Sequence, residues 1–200
     1  KKVLHLLGSN GVKATAMALL GANVTVVDFS KENAKFAEEL AHAAEVDFNY
    51  IISDVSSLPE NEMQGEFDYV LMELGVLHYF ITLEPLMELI KGMLAPEGRF
   101  ILHEFHPIST KLITSNGKKH KVTGNYFEPE LTYQNVAFSK HLPDGVQEEL
   151  IQTVHRKWTI GELITSVAAS GLRVEVLEEE PNHKLHDIGL PKTYTLVAEK

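Results

Sequence analysis

"VLHLLGSNG", residues 3–11, decides the fold. A largely apolar run, Val3 to Leu7, passes at once into Gly8, Ser9, Asn10 and Gly11, and a helical pattern follows. Strand, tight turn and helix in that order open a βαβ unit of the kind that brings backbone close to a nucleotide. The glycine spelling is irregular: Gly8 and Gly11 stand as G-x-x-G, and Lys13 occupies the place of the last glycine in G-x-G-x-x-G.

Working outward, short apolar runs recur at Val24–Val27, Phe48–Ile52, Phe67–Met72 and Arg99–Phe105. Each is apolar on both faces, as the strands of a covered parallel sheet should be. Helical patterns lie between most of them. Lys13–Leu20 is rich in Ala and Leu and stops at Gly21; Ser30 is placed to cap a helix carrying Ala34, Ala37, Leu40, Ala41 and Ala44. Thr82 is expected to cap a third, with Pro85 tolerated in its first turn. Alternation of strand and helix predicts an α/β fold.

The pattern changes after Pro107. Residues 107–157 lack a clear helix and carry strand-like patches at Lys121–Phe127, Leu131–Phe138 and Leu150–Val154. A structureless loop of that length is improbable in a compact domain, so the segment is expected to be an insertion acting as a lid or substrate wall. Regular structure resumes with Thr159 and Glu162 at capping-box spacing and a stop at Gly171. The last strands, Leu172–Leu177 and Thr193–Ala198, are joined without a helix pattern, which predicts an antiparallel pair. The whole, residues 1–200, is expected to form a single domain, with or without a lead-in segment ahead of its first strand.

With 44% hydrophobic and 23% charged residues among 200, the chain can bury a full core. Its formal charge of -10 opposes a nucleic-acid partner, and the absence of cysteine excludes disulfides, thiolate metal sites and a thiol nucleophile. No secretory leader or long apolar span is visible, so a cytoplasmic protein without membrane association, monomeric or homodimeric, is the expectation.

Asp28 ends the second strand and Asp54 the third. In an open α/β sheet, ligands bind beyond the carboxyl ends of the strands, where a carboxylate can accept both hydroxyls of a ribose. Asp28 alone could equally be a carboxylate at a helix N-terminus. Two such acids at adjacent strand ends favour the ligand reading.

The ordered series "VLHLLGSNG", "GANVTVVDFS", "DFNYIISDVSSLP", "GEFDYVLMELGVLHYF" and "LAPEGRFIL" resembles the class I S-adenosylmethionine-dependent methyltransferases over nearly the whole chain. The resemblance implies a Rossmann-like, seven-stranded, mostly parallel sheet with an antiparallel last strand, helices on both faces and one insertion. It implies S-adenosyl-L-methionine as cofactor. Leu7, Gly8, Ser9 and Gly11 would approach its methionine and ribose, Asp28 with Phe29 would hold the ribose, and Asp54 with Val55 would border the adenine. Glu73 and Leu74 would close the pocket from below. "HEFHP" at 103–107 and "KWTIGELITSVAASGL" at 157–172 resemble a bacterial subset with a reduced glycine turn. In this chain His5 replaces the usual acid behind the methionyl amine, and Leu7 and Ser9 replace glycines. Ser9 is small enough for close approach, whereas Leu7 is expected to narrow the cofactor slot. A nicotinamide dehydrogenase is the weaker reading, since Asp54 has no role in it.

Methyl transfer needs a base only when the acceptor must lose a proton. His78, after the fourth strand, and Glu104 and His106, on one face at the end of the fifth, are the catalytic candidates. Each also has a plain structural reading: His78 packed beneath the cofactor, His106 bonded to the returning insertion. Tyr126 and Tyr133 in the insertion are expected to wall a small-molecule acceptor site, with Tyr79, Phe80, Phe127, Phe138 and Trp158 as further aromatics. No His pair has helical zinc spacing; His183 and His186, beside Asp187, are expected at a polar surface, and no metal is expected. A second reading is an adenosyl-binding regulatory protein on the same fold, without turnover.

Overall fold

The computed structural model describes residues 1–58, 63–116, 119–129, 131–135, 152–181 and 189–200. Its core alternates β1 (Lys2–Leu6), α1 (Val12–Leu19), β2 (Asn23–Asp28), α2 (Lys31–Ala43), β3 (Asn49–Ile52), β4 (Phe67–Glu73), α3 (Glu84–Met93) and β5 (Leu94–Phe105). Then follow β6 (Ile113–Asn116), β7 (Lys119–Val122), β8 (Leu131–Asn135), β9 (Gln152–Arg156), α4 (Ile160–Ala169), β10 (Arg173–Pro181) and β11 (Pro191–Glu199).

Seven strands form one sheet in the order β10-β11-β5-β4-β1-β2-β3. The five strands from β3 to β5 pair in parallel, and β11 runs antiparallel to both β5 and β10. The order reverses at β1, which puts the crevice for a ligand beyond the carboxyl ends of β1, β2 and β4. Neighbouring residues show why helices cover both faces: Val27 enters the cluster shared with Leu86, Met87 and Ile90 of α3 and Leu163 of α4, whereas Val26 turns to Ala14 and Met17 of α1. The C-terminal edge strand β10 is largely exposed, and Glu178, Glu179 and Glu180 on it discourage pairing with another chain.

Helix ends follow the side chains available. Ser30 accepts from Asn33 N at 3.1 Å, and Thr159 with Glu162 forms a reciprocal capping box. Gly171 ends α4 at φ +85°. Thr82 is not the cap of α3: that place falls to Leu83, which makes no side-chain cap bond. Pro85 near the helix start has no N–H to donate, so a capping hydroxyl there has little to bind.

The insertion folds as expected into short strands, but with shifted bounds. A π-helical turn, Ile108–Leu112, leads into the β6–β7 hairpin, and β8 pairs antiparallel with β9. The strand expected over Lys121–Phe127 stops at Val122, and Phe127 is exposed. Phe138, His183, His186 and Asp187 lie outside the described residues. Among the described residues no helix is long and apolar enough to cross a membrane.

Candidate functional site

The turn after β1 keeps a glycine-like backbone without the usual glycines. Leu7 and Ser9 take φ of 50° and 51°, the left-handed conformation that glycine adopts freely. That costs about 1–2 kcal/mol at each non-glycine residue. The two glycines retained are those where space, not only φ, forbids a side chain. A Cβ on Gly8 would lie 2.7 Å from Val26 Cγ1 and 2.9 Å from His5 Nδ1; one on Gly11, at φ +74°, would lie 2.6 Å from Ala37 Cβ. Leu7 packs against the buried cluster of the sheet. The leucine therefore spends its side chain on the core, and the expected narrowing is relieved to that extent.

Asp28 holds this turn to the start of α2. Its Oδ2 accepts from Ser9 N and its Oδ1 from Ser30 N, both at 3.0 Å, with Asn33 Nδ2 at 3.3 Å. Both readings of Asp28 meet in this geometry: it serves the helix N-terminus and stands at the strand end beside the turn. Tyr50 of β3 donates to Ser9 O at 2.6 Å and so clamps the strained residue from the other side. Burial, with Asp28 nearby, pushes the Tyr50 hydroxyl pKa upward and keeps it a donor. Phe29 is exposed at the mouth. Asp54 is exposed; its Oδ1 accepts from Ser56 N at 2.7 Å and from Ser56 Oγ, and Oδ2 takes part in neither bond. The Val55 side chain is buried in the core, so only its backbone can border a ligand.

Beneath the turn lies His5, 1% exposed, with both ring nitrogens lacking a hydrogen-bond partner among the described residues. Its nearest carboxylate is Glu73, at the end of the adjacent strand β4, 3.8 Å from Nε2; Glu73 also lies 3.4 Å from Lys13 Nζ. Burial lowers the His5 pKa against the opposing pull of Glu73, so the ring is neutral at pH 7. The unfolded chain takes up this proton near pH 6.5 and the folded one only below that, so stability is expected to fall as pH drops below about 6.5. Urea unfolding at pH 7.5 and 5.5 checks this: His5→Leu should flatten the pH dependence, and an unchanged difference would contradict it.

The loop after β4 is built on Glu104. Leu74 and Gly75 take φ of 45° and 80°, and the Glu104 carboxylate accepts from Gly75 N at 2.6 Å, Val76 N at 2.9 Å, Leu77 N at 3.1 Å and Phe105 N at 2.7 Å. Four donors fill its acceptor capacity. Glu104 thus positions a loop and is not a free base. His106 is committed likewise: Nε2 donates to Glu179 Oε1 at 2.7 Å and Nδ1 accepts from Ile108 N at 3.1 Å. Its plain structural reading is the one the geometry carries.

His78 differs. It makes no hydrogen bond among the described residues and lines a cavity of about 180 Å³ with Leu77, Glu104, Phe105 and Tyr194. The insertion supplies the opposite wall: Thr110, Thr132, His155, Arg156 and Lys157, with Trp158 beside them. The His155 ring centre lies 4.4 Å from that of His78, tilted, and 4.8 Å from that of Tyr79, edge to face, and its Nε2 bonds Thr153 Oγ1 at 2.8 Å. Burial lowers the pKa of both imidazoles, with mutual repulsion adding to it at His78, so each is an unprotonated base at neutral pH. Tyr133 is two-thirds exposed and does not line the cavity; its neighbour Thr132, on the opposite face of β8, does. Tyr126 accepts from Ile160 N at 3.1 Å and braces α4 instead. Among the described residues no three His, Cys, Asp or Glu side chains converge as a metal set.

Known proteins agree with this geometry. A family model described as a methyltransferase domain matches residues 5–102. A candidate S-adenosylmethionine-dependent methyltransferase from Listeria monocytogenes superposes with a TM-score of 0.76 at 17% identity, covering 100% of this chain and 91% of that one. An S-adenosylmethionine-dependent methyltransferase from Mesorhizobium loti gives 0.75 at 19%, covering 100% and 90%. The Burkholderia thailandensis 1,6-didemethyltoxoflavin-N1-methyltransferase, solved with that acceptor and S-adenosylhomocysteine, gives 0.63 at 20%, covering 100% and 70%. No curated protein matches the chain by sequence. Residues 5–102 match a methyltransferase domain, and the sheet order is the Rossmann-like fold of the S-adenosylmethionine-dependent methyltransferases just described, whose cofactor is S-adenosylmethionine.

The residues present fit that cofactor. Gly8 and Gly11 let the turn lie close on Val26, His5 and Ala37, His5 beneath it has no hydrogen-bond partner among the described residues, and Glu73 with Lys13 offers both charges to a zwitterion.

Proposed function

We propose that the chain transfers a methyl group from S-adenosylmethionine to a small-molecule acceptor held under the 107–157 insertion, which serves as lid and wall of a single catalytic domain. The observation that carries this reading is the His78–His155 cavity. It is lined by the loop after β4 that Glu104 holds, and the insertion supplies its opposite wall.

Leu7, Gly8, Ser9 and Gly11 would lie along the methionine and ribose, Asp28 would take the ribose hydroxyls, and Glu73 would face the methionyl amine. Phe29 and Leu74, both exposed and apolar, would flank the adenosyl moiety, with Asp54 and the Val55 backbone at the adenine edge. Glu73 stands one strand away from His5, so the carboxylate that β1 lacks is supplied from β4. When bound, the cofactor would supply a methyl on a sulfonium, with the neutral thioether as the leaving group for an attacking heteroatom of the acceptor. The chain's own part is to hold that heteroatom in line, exclude water and receive its proton at His78, with His155 packed behind. Glu104 and His106 position the loop and the insertion that frame this step.

A screen for transfer of tritiated methyl to small amines, phenols and carboxylates tests the reading. With an active acceptor in hand, His78→Gln should lower kcat by about a hundredfold or more with unchanged affinity for S-adenosylhomocysteine. Because burial lowers the pKa of the His78 ring, kcat should hold from pH 8 down to about 6.5 and fall only below it. Equal kcat in wild type and variant would remove His78 from the mechanism.

A further inference from the structure

The cavity wall has a charge character opposite to that of the molecule. The chain carries a net charge of -10, yet the insertion brings Arg156 and Lys157 to the lining and buries Lys111 directly behind them. Lys111 Nζ donates to the backbone oxygens of Glu128 and Lys157, both at 2.9 Å, so its charge meets carbonyl dipoles in place of a bonded anion. Lys157 Nζ donates to Thr110 O at 2.6 Å and pairs with no carboxylate among the described residues. Burying a cation without a bonded anion is costly, and Lys111 is so buried behind the exposed Lys157.

The acids near this wall are already engaged. Glu104 receives four backbone N–H donors, and Glu162 receives Arg156 at 2.5 Å together with the Thr159 capping box. Glu128, exposed, acts on Lys111 from the outer side. The Arg156 guanidinium is fixed: it lies 3.7 Å over the Trp158 ring and donates to Ile81 O at 3.2 Å, while its Nε is buried with no partner among the described residues. A held guanidinium with an unused N–H beside an unpaired ammonium is a site for an oxyanion. At the other end of the same cavity stand two neutral imidazoles.

Resting on the methyltransferase reading of this site, we propose that the acceptor is a small organic anion. Its carboxylate binds against Lys157 and the Arg156 guanidinium, and its nucleophilic heteroatom lies toward His78 and His155. The volume of about 180 Å³ suits a compact molecule, since ordinary ligand sites span roughly 300–1,000 Å³. The charged wall selects against neutral and cationic analogues, because only an anion pairs with the Lys157 ammonium and offsets the Lys111 charge behind it.

Calorimetry on protein saturated with S-adenosylhomocysteine tests this with benzoate, its neutral isostere benzamide, and benzylamine as probes. Benzoate should bind at least tenfold more tightly than either, Lys157→Met should bring benzoate and benzamide within twofold, and Lys157→Arg should keep the preference. Lys157 is exposed, so these variants leave the fold intact. Equal binding of benzoate and benzamide, no binding of benzoate, or an unchanged preference in Lys157→Met overturns the proposal. S-adenosylhomocysteine is titrated into the same samples first: its binding without a benzoate preference leaves the methyltransferase reading standing, and its failure to bind removes that reading and the proposal together.

Discussion

Replacing Asp28 by alanine should weaken S-adenosylhomocysteine binding at least a hundredfold. The carboxylate accepts from Ser9 N, Ser30 N and Asn33 Nδ2, and one of its acceptor positions remains for a ribose hydroxyl. Hydrogen bonds to a charged acceptor contribute about 1.5–3 kcal/mol each. Loss of the ribose contact together with the tether on Ser9 therefore amounts to about 3–4 kcal/mol, or 100- to 1,000-fold in affinity. Asp28→Asn separates the two roles, since it keeps an oxygen for Ser9 N and loses the charge. Calorimetry, with circular dichroism to verify folding, reads the outcome. An affinity within threefold of wild type in folded Asp28→Ala would take the ribose contact out of the account.

The second large effect is on stability. Gly11→Ala places a methyl 2.6 Å from Ala37 Cβ and 3.2 Å from Phe48 Cζ, at a backbone φ of +74°. The left-handed conformation costs an L-residue about 1–2 kcal/mol, and overpacking adds about 1–3 kcal/mol. A loss of roughly 3 kcal/mol follows, which at this chain length lowers Tm by about 10 °C. Differential scanning calorimetry checks it. Ser9→Gly at the neighbouring position should move Tm the other way or leave it unchanged, because Ser9 already bears the strain that glycine relieves. A Gly11→Ala protein as stable as wild type would mean that α1 and α2 are not packed as described.

The contrast between these positions explains what the sequence discloses and what it conceals. Periodicity exposes the five parallel strands, because their apolar runs are short and continuous even at the half-exposed edge strand β3, and the caps at Ser30 and Thr159 are local chemistry. The turn after β1 is legible in outline only. That Leu7 and Ser9 accept positive φ depends on the Tyr50 clamp, the Asp28 tether and the core beneath Leu7, none of which is near in sequence.

The catalytic candidates show the same limit. Spacing puts Glu104 and His106 on one face, although β5 ends at Phe105 and His106 lies just beyond it, and spacing carries no information about which backbone amides a carboxylate will meet. Glu104 met four of them and His106 met Glu179, leaving His78 as the unengaged group. His155 and Arg156 escaped notice because β9 acquires its orientation only when it folds back against the loop after β4. Strand alternation was the one available signal: it separates Thr132 from Tyr133, and it would have sent the aromatic outward once the cavity side was known.

The central claim is that a turn short of two glycines, with a histidine where an acid is usual, still forms the cofactor site. Titration of the wild-type protein with S-adenosylhomocysteine, with NAD as a parallel titrant, tests it most directly. The account predicts micromolar, saturable binding of S-adenosylhomocysteine and none of NAD. A folded protein that takes up no S-adenosylhomocysteine would contradict it and would mean that Leu7 and His5 have closed the site.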